Sequence, residues 1–140
     1  MKPIVLVFDD NPGDIALELE MLRRAGFDVE VIGDEEAAMQ RLDALARAPG
    51  QVRGLFIDVM LPLADTRRLL LLDEDSLENS HFTGLRLLAR ARALWIQLPI
   101  AMTSARPDLN WREILKDSAV VRVRRGHATA EDMKLFLARL

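Results

Sequence analysis

Residues 4–10 read Ile4-Val5-Leu6-Val7-Phe8-Asp9-Asp10, an unbroken apolar run that stops at two acids. A run without polar alternation favours a strand that is buried on both faces, as in a parallel sheet covered by helices. A second run, Leu55-Phe56-Ile57, also stops at an acid, Asp58. The two runs predict buried strands whose carboxyl ends carry acidic side chains.

Strand-like and helix-like segments alternate along the rest of the chain. Four helix starts carry N-cap signals, in which a polar side chain accepts a hydrogen bond from the first turn. The alternation occurs five times and predicts an α/β fold, a doubly wound five-stranded parallel sheet with helices on both faces. The predicted strands are 4–8, 27–32, 55–57, 99–103 and 120–123, and the helices follow Asn11-Pro12, Asp34, Gly84, Asn110 with Glu113, and Thr129 with Asp132.

One segment, from about Leu63 to Thr83, is longer than the connections usual in such folds. It contains the apolar run 69–72 and the acidic run 73–75. We expect a partly ordered insertion within one domain that spans residues 1–140.

Composition excludes several classes of protein. The 140 residues contain no cysteine, which excludes disulfides and thiolate metal sites. Nineteen basic and 22 acidic residues give a net charge of −3, which argues against binding nucleic acid through bulk charge. No apolar run is long enough to span a membrane, and the first residues do not resemble a signal peptide, so we expect a cytoplasmic chain. Arginine outnumbers lysine by 16 to three, and tyrosine is absent.

The predicted strand ends supply Asp9, Asp10, Asp58 and Ser104. Ligands of doubly wound sheets bind at the carboxyl ends of the strands. Carboxylates held close together repel one another, and a divalent cation such as Mg²⁺ removes that repulsion. The alternative is structural: the acids end strands and favour the next helix N-terminus, and the serine caps local backbone.

Three segments carry a resemblance to a known family. VFDDNP at 7–12, FIDVMLP at 56–62 and PIAMTSA at 99–105 resemble the signature strand ends of the receiver domain of two-component response regulators. The resemblance covers nearly the whole chain except the insertion. It implies a flavodoxin-like sheet with strand order 2-1-3-4-5.

The resemblance also implies a function and assigns roles. Asp58 would accept a phosphoryl group from a sensor histidine kinase or a phosphotransfer protein, and Ser104 would be the hydroxyl that then moves to the phosphate. Mg²⁺ would be held by Asp10, Asp58 and the backbone carbonyl of Met60, with Asp9 binding through water. The chain would then be a signalling domain rather than an enzyme, with a downstream target protein; homodimerisation stays open, and neither nucleic acid nor membrane is an expected partner.

The fifth strand departs from the family pattern. Receivers carry a lysine followed by proline at its end, and this region has no lysine. Arg124 or Arg125 is the candidate replacement, and strand alternation alone does not choose between them. Arginine is longer and planar, so the two residues are not interchangeable in a tight pocket. The usual aromatic residue of this strand is also missing, which favours the alternative of a pseudo-receiver, a protein-interaction module that phosphorylation does not switch.

Two other phosphate-related folds are disfavoured. A hydrolase of the haloacid dehalogenase type needs a second aspartate two residues after the nucleophile, where this chain has Met60. A dinucleotide-binding fold needs a Gly-x-Gly-x-x-Gly turn after the first strand, and none is present.

Overall fold

The structure is a computed structural model that describes residues 2–59, 83–94, 96–104 and 109–140. Five strands form one sheet in the order β2-β1-β3-β4-β5, and every neighbouring pair is parallel. The predicted fold class and strand order are confirmed. The strands are β1 Ile4–Phe8, β2 Asp28–Ile32, β3 Val52–Asp58, β4 Ile100–Thr103 and β5 Val120–Arg122.

Five α-helices in the described ranges cover the two faces of the sheet. Alternate side chains of β1 enter two different cores, with Leu6 and Phe8 on one face and Val5 and Val7 on the other. The first core includes residues of α2, α3 and α4, and the second includes residues of α1 and α5. The helices are α1 Ala16–Arg24, α2 Glu35–Arg47, α3 Thr83–Ala93, α4 Trp111–Ile114 and α5 Thr129–Leu137.

Two of the predicted helix caps are confirmed. The Asp34 side chain accepts a hydrogen bond from the Ala37 N–H at 2.8 Å at the start of α2. Asn110 accepts one from the Glu113 N–H at 3.3 Å at the start of α4. Each cap satisfies a backbone donor that has no partner within its helix.

The predicted cap at Asn11 is wrong. A 3-10 turn, Pro12–Ile15, precedes α1, and the Asn11 side chain makes no capping hydrogen bond. Instead, the Asn11 N–H donates to Asp9 Oδ1 at 2.8 Å. The chain therefore leaves β1 in a tight turn that is closed by the first acid of the pair.

The predicted cap of α5 by Thr129 and Asp132 is also wrong. The N-cap residue is Ala128, and no side chain caps the helix. Both predicted capping side chains bind Arg124 in the preceding loop. Thr129 and Asp132 do not cap α5 because their hydrogen-bonding groups are bound to the backbone of Arg124 instead.

The predicted insertion lies mostly outside the described residues. Its last residue, Thr83, is the first residue of α3 rather than part of a connection. Within the described ranges, no helix combines the length and apolar character that crossing a membrane requires.

Candidate functional site

An acidic cluster lies at the carboxyl ends of β1 and β3. In the register of the two strands Phe8 is the partner of Ile57, so the residues that follow, Asp9 and Asp58, come side by side. Asp9, Asp10 and Asp58 each offer a carboxylate oxygen, and these atoms lie within 4.8 Å of one another. Asp9 and Asp58 are buried, whereas Asp10 is exposed.

Burial dominates the electrostatics of Asp9, which is 1% exposed. The pKa of Asp9 is raised from 3.8 to about 6, mainly by loss of solvent and to a smaller extent by the negative charges of Asp58 and Asp10. The hydrogen bond from the Asn11 N–H and the positive charge of Arg125 act in the opposite direction. A cation placed against Asp9 would therefore stabilise its ionised form.

The donor set fits a hard divalent cation. Oδ2 of Asp9 is buried and has no hydrogen-bond partner among the described residues, and such an oxygen is stabilised by a metal ligand bond or a bound water. Three carboxylates are also the oxygen ligands that Mg²⁺ prefers. Met60, whose carbonyl was predicted as a further ligand, lies outside the described residues.

The structure distinguishes between the two candidate arginines. Arg125 Nη2 lies 3.8 Å from Asp58 Oδ2, which is ion-pair distance. Arg124 turns away and pairs with Asp132, with its Nη2 2.9 Å from Oδ1. Of these two arginines, Arg125 therefore faces the acidic cluster.

Glu18 is a charged residue near the site that the sequence did not single out. It lies in the first turn of α1 and is only 7% exposed. Burial raises its pKa, and the nearby positive charge of Arg125 acts against that rise. Arg125 thus lies in the field of Glu18 as well as that of Asp58.

Two hydroxyl residues stand at the end of β4. Thr103 is the register partner of Asp58, and Ser104 follows it directly. The preceding register partners, Ile57 and Met102, both pack into the core on one face of the sheet. The side chains of Asp58 and Thr103 therefore project from the opposite face. Thr103 is 1% exposed, and its hydroxyl has no hydrogen-bond partner among the described residues. Thr103 is therefore a buried hydroxyl residue that neighbours Asp58 in the sheet, one position before the predicted Ser104.

Helix α3 begins directly on the backbone that follows Asp58. The Gly84 N–H donates to the Val59 carbonyl at 3.0 Å, and the Thr83 hydroxyl donates to the same oxygen at 3.5 Å. A Cβ atom at Gly84 would lie 2.5 Å from Val59 Cα and 2.6 Å from the Asp58 carbonyl oxygen. Only glycine allows this approach, so the start of α3 and the end of β3 are packed as one unit.

Comparison with solved structures finds the same architecture in known proteins. A response regulator receiver protein from Sinorhizobium medicae superposes with a TM-score of 0.67 at 16% identity, covering 98% of this chain and 95% of its own. The receiver domain of a Francisella response regulator gives 0.61 at 21% identity, covering 98% of each chain. No protein-family model matches the sequence, and no curated protein matches it.

This chain has the receiver-domain fold. A third structure with that fold, the receiver domain of a Pseudomonas aeruginosa sensor histidine kinase, has a TM-score of 0.62 at 17% identity and covers 99% of this chain and 98% of its own. It contains a magnesium ion coordinated in its active-site cleft. In the receiver fold of the present chain, the acidic cluster lies at the carboxyl edge of the sheet, where ligands of doubly wound sheets bind.

Proposed function

We propose that this chain is a cytoplasmic response-regulator receiver that accepts a phosphoryl group on Asp58 in a Mg²⁺-dependent reaction with a sensor histidine kinase or phosphotransfer protein. One observation carries the proposal: the carboxylates of Asp9, Asp10 and Asp58 converge at the carboxyl edge of a receiver-fold sheet, with Arg125 facing Asp58. The chain acts as a signalling domain that passes its state to a target protein.

Asp58 is the nucleophile of the proposed reaction. One of its carboxylate oxygens attacks phosphorus, and an O–P bond forms while the N–P bond to the donor histidine breaks. The imidazole leaves with the electron pair of that bond and takes up a proton. Such a transfer depends mainly on positioning and on neutralising charge at the phosphoryl oxygens.

Asp9, Asp10 and Asp58 would hold Mg²⁺. When bound, the cation supplies positive charge to the phosphoryl oxygens and screens the carboxylates from one another. Arg125 supplies the second positive charge, and its guanidinium offers paired donors that match phosphate oxygens. Ser104 and Thr103 offer hydroxyl donors at the neighbouring strand end.

Intact-mass measurement after incubation with phosphoramidate and Mg²⁺ tests the proposal. We expect one added phosphoryl group on the wild type and none on Asp58→Asn. Asp43→Asn is the matched control, because this aspartate pairs with Arg90 on the surface, and it should be modified like the wild type. Absence of phosphate on the wild type, or equal modification of Asp58→Asn, refutes the proposal.

The pseudo-receiver is the second candidate, because Arg125 replaces the family's lysine and already forms an ion pair with Asp58. Under that alternative the wild type binds no Mg²⁺ and takes up no phosphate. Titration of Mg²⁺ by calorimetry distinguishes the two, since our proposal requires a saturable site that Asp10→Asn weakens.

A further inference from the structure

The loop between β5 and α5 contains a glycine next to Arg125. Gly126 follows Arg125 where the family has proline, and its φ of +97° is a conformation that side-chain-bearing residues rarely adopt. Glycine permits this turn but does not restrict it. The direction of Arg125 must therefore be set by other contacts.

Arg124, the residue before it, is bound through both of its backbone polar groups. Its N–H donates to Asp132 Oδ2 at 2.8 Å, and its carbonyl accepts from the Thr129 hydroxyl at 2.7 Å. Its guanidinium adds two hydrogen bonds to Asp132, from Nε at 3.0 Å and from Nη2 at 2.9 Å. We call Arg124, Thr129 and Asp132 the Arg124 clamp.

The clamp is built from buried partners. Thr129 is 5% exposed and Asp132 is 4% exposed. Burial by itself would raise the pKa of Asp132, but the hydrogen bonds from Arg124 outweigh it, and the pKa lies below the ordinary value. Asp132 therefore stays ionised at neutral pH and keeps all its acceptor sites for Arg124.

The clamp acts on the next residue through the backbone. Val121 and Val123 enter the core on the α1 and α5 face, but β5 ends at Arg122, so strand alternation does not set the direction of Arg125. Holding the Arg124 N–H and carbonyl fixes the peptide plane that leads into Arg125. Its guanidinium then reaches ion-pair distance from Asp58.

We propose that Thr129 and Asp132 are positioning residues that hold Arg124 so that Arg125 points at Asp58 and at the phosphoryl group Asp58 carries. That Asp58 carries a phosphoryl group rests on the proposed function. The orientation of Arg125 toward Asp58 does not. The clamp thereby orients the cation that faces the acidic cluster.

The test uses Thr129→Val, which keeps the shape of the side chain and removes the hydroxyl donor. Beryllofluoride with Mg²⁺ serves as a stable mimic of the phosphoryl group on Asp58. We expect its affinity, measured by calorimetry, to fall by about threefold to fivefold, the effect of one lost hydrogen bond. Thr129→Ser should restore it, and in an Arg125→Ala background Thr129→Val should have no further effect.

Asp117→Asn is the matched control for a merely structural role. Asp117 lies before β5 and also accepts hydrogen bonds from an arginine, Arg92, and from a backbone N–H, that of Ala119. Its replacement should lower thermal stability without changing beryllofluoride affinity. An unchanged affinity in Thr129→Val, or an equal loss in the Arg125→Ala background, overturns the proposal.

A second measurement separates the clamp from the proposed function. The order parameter of the Arg125 Nε–H bond, measured by ¹⁵N relaxation in the metal-free protein, should fall in Thr129→Val and recover in Thr129→Ser. If wild type binds no beryllofluoride, the phosphoacceptor function fails while this measurement still decides the clamp. Equal order in wild type and Thr129→Val overturns it.

Discussion

Replacing Gly84 by alanine tests whether α3 and strand β3 are packed as one unit. The new Cβ atom would stand 2.5 Å from Val59 Cα and 2.6 Å from the Asp58 carbonyl oxygen. Both atoms belong to the backbone, so neither moves aside by a change of rotamer. Overpacking of this kind costs about 1–3 kcal/mol, and alanine recovers up to about 1 kcal/mol by restricting the unfolded chain.

We expect Gly84→Ala to lower the free energy of unfolding by about 2 kcal/mol. For a chain of this size that corresponds to a fall of about 7 °C in Tm, which circular dichroism measures. Gly33→Ala is the matched control, because its Cβ would meet the Asp9 carbonyl oxygen at an ordinary 3.8 Å. If both variants unfold within about 0.5 kcal/mol of wild type, the close packing inferred for Gly84 is refuted.

Three further predictions concern charged groups. Because the pKa of Asp9 is raised to about 6 in the folded state, the folded state binds more protons than the unfolded state, and metal-free stability falls as pH rises from about 4 through about 6. Asp9→Asn should therefore stabilise the metal-free protein by about 2–3 kcal/mol at pH 7 and lose that gain at pH 4, as urea unfolding at both pH values would show. Arg86 makes two hydrogen bonds to buried Glu35, at 3.0 and 2.8 Å, so Arg86→Met should cost about 3 kcal/mol in the same assay. The Arg122 guanidinium lies 4.5 Å from the Trp111 ring centroid, and Arg122→Ala should cost about 0.5–1 kcal/mol and change tryptophan fluorescence.

Each of these predictions has its own contrary outcome. If Asp9→Asn is no more stable than the wild type at pH 7, burial of this acid has no cost in the free energy of unfolding. Lys116→Met is the control for Arg86→Met, because Lys116 forms an exposed pair with Glu113 worth less than about 1 kcal/mol; equal effects would contradict the buried-pair argument. Unchanged fluorescence in Arg122→Ala would mean that the stacking with Trp111 does not persist in solution.

The sheet and the acidic cluster were predictable from sequence for the same physical reason. A buried parallel strand is continuously apolar. The acids that directly follow Ile4–Phe8 and Leu55–Ile57 therefore mark the carboxyl edge of the sheet. The topology of a doubly wound fold then brings these acids together. Asp9 and Asp58 could be placed without any side-chain coordinates.

The details of the loops were not predictable in this way. Thr129 and Asp132 have the spacing of a helix cap, but a hydroxyl and a carboxylate can equally bind another backbone segment, and here Arg124 supplies one. The choice between Arg124 and Arg125 depends on that same contact, because β5 ends at Arg122 and alternation no longer determines which way the two side chains point. Hydrogen bonds between separate segments decide what the local pattern leaves open.

The cation beside the acidic cluster is an arginine rather than a lysine, and this has a physical consequence. Three carboxylates and one guanidinium leave a formal excess of two negative charges in the cluster, which matches one divalent cation. A lysine ammonium is a compact charge that binds phosphate from many directions, whereas a guanidinium binds well only when its plane is aligned with the oxygens. An arginine in this position therefore requires a more rigid support than a lysine does. The hydrogen bonds that Arg124 makes with Thr129 and Asp132 lie directly beside Arg125, where such a support is needed.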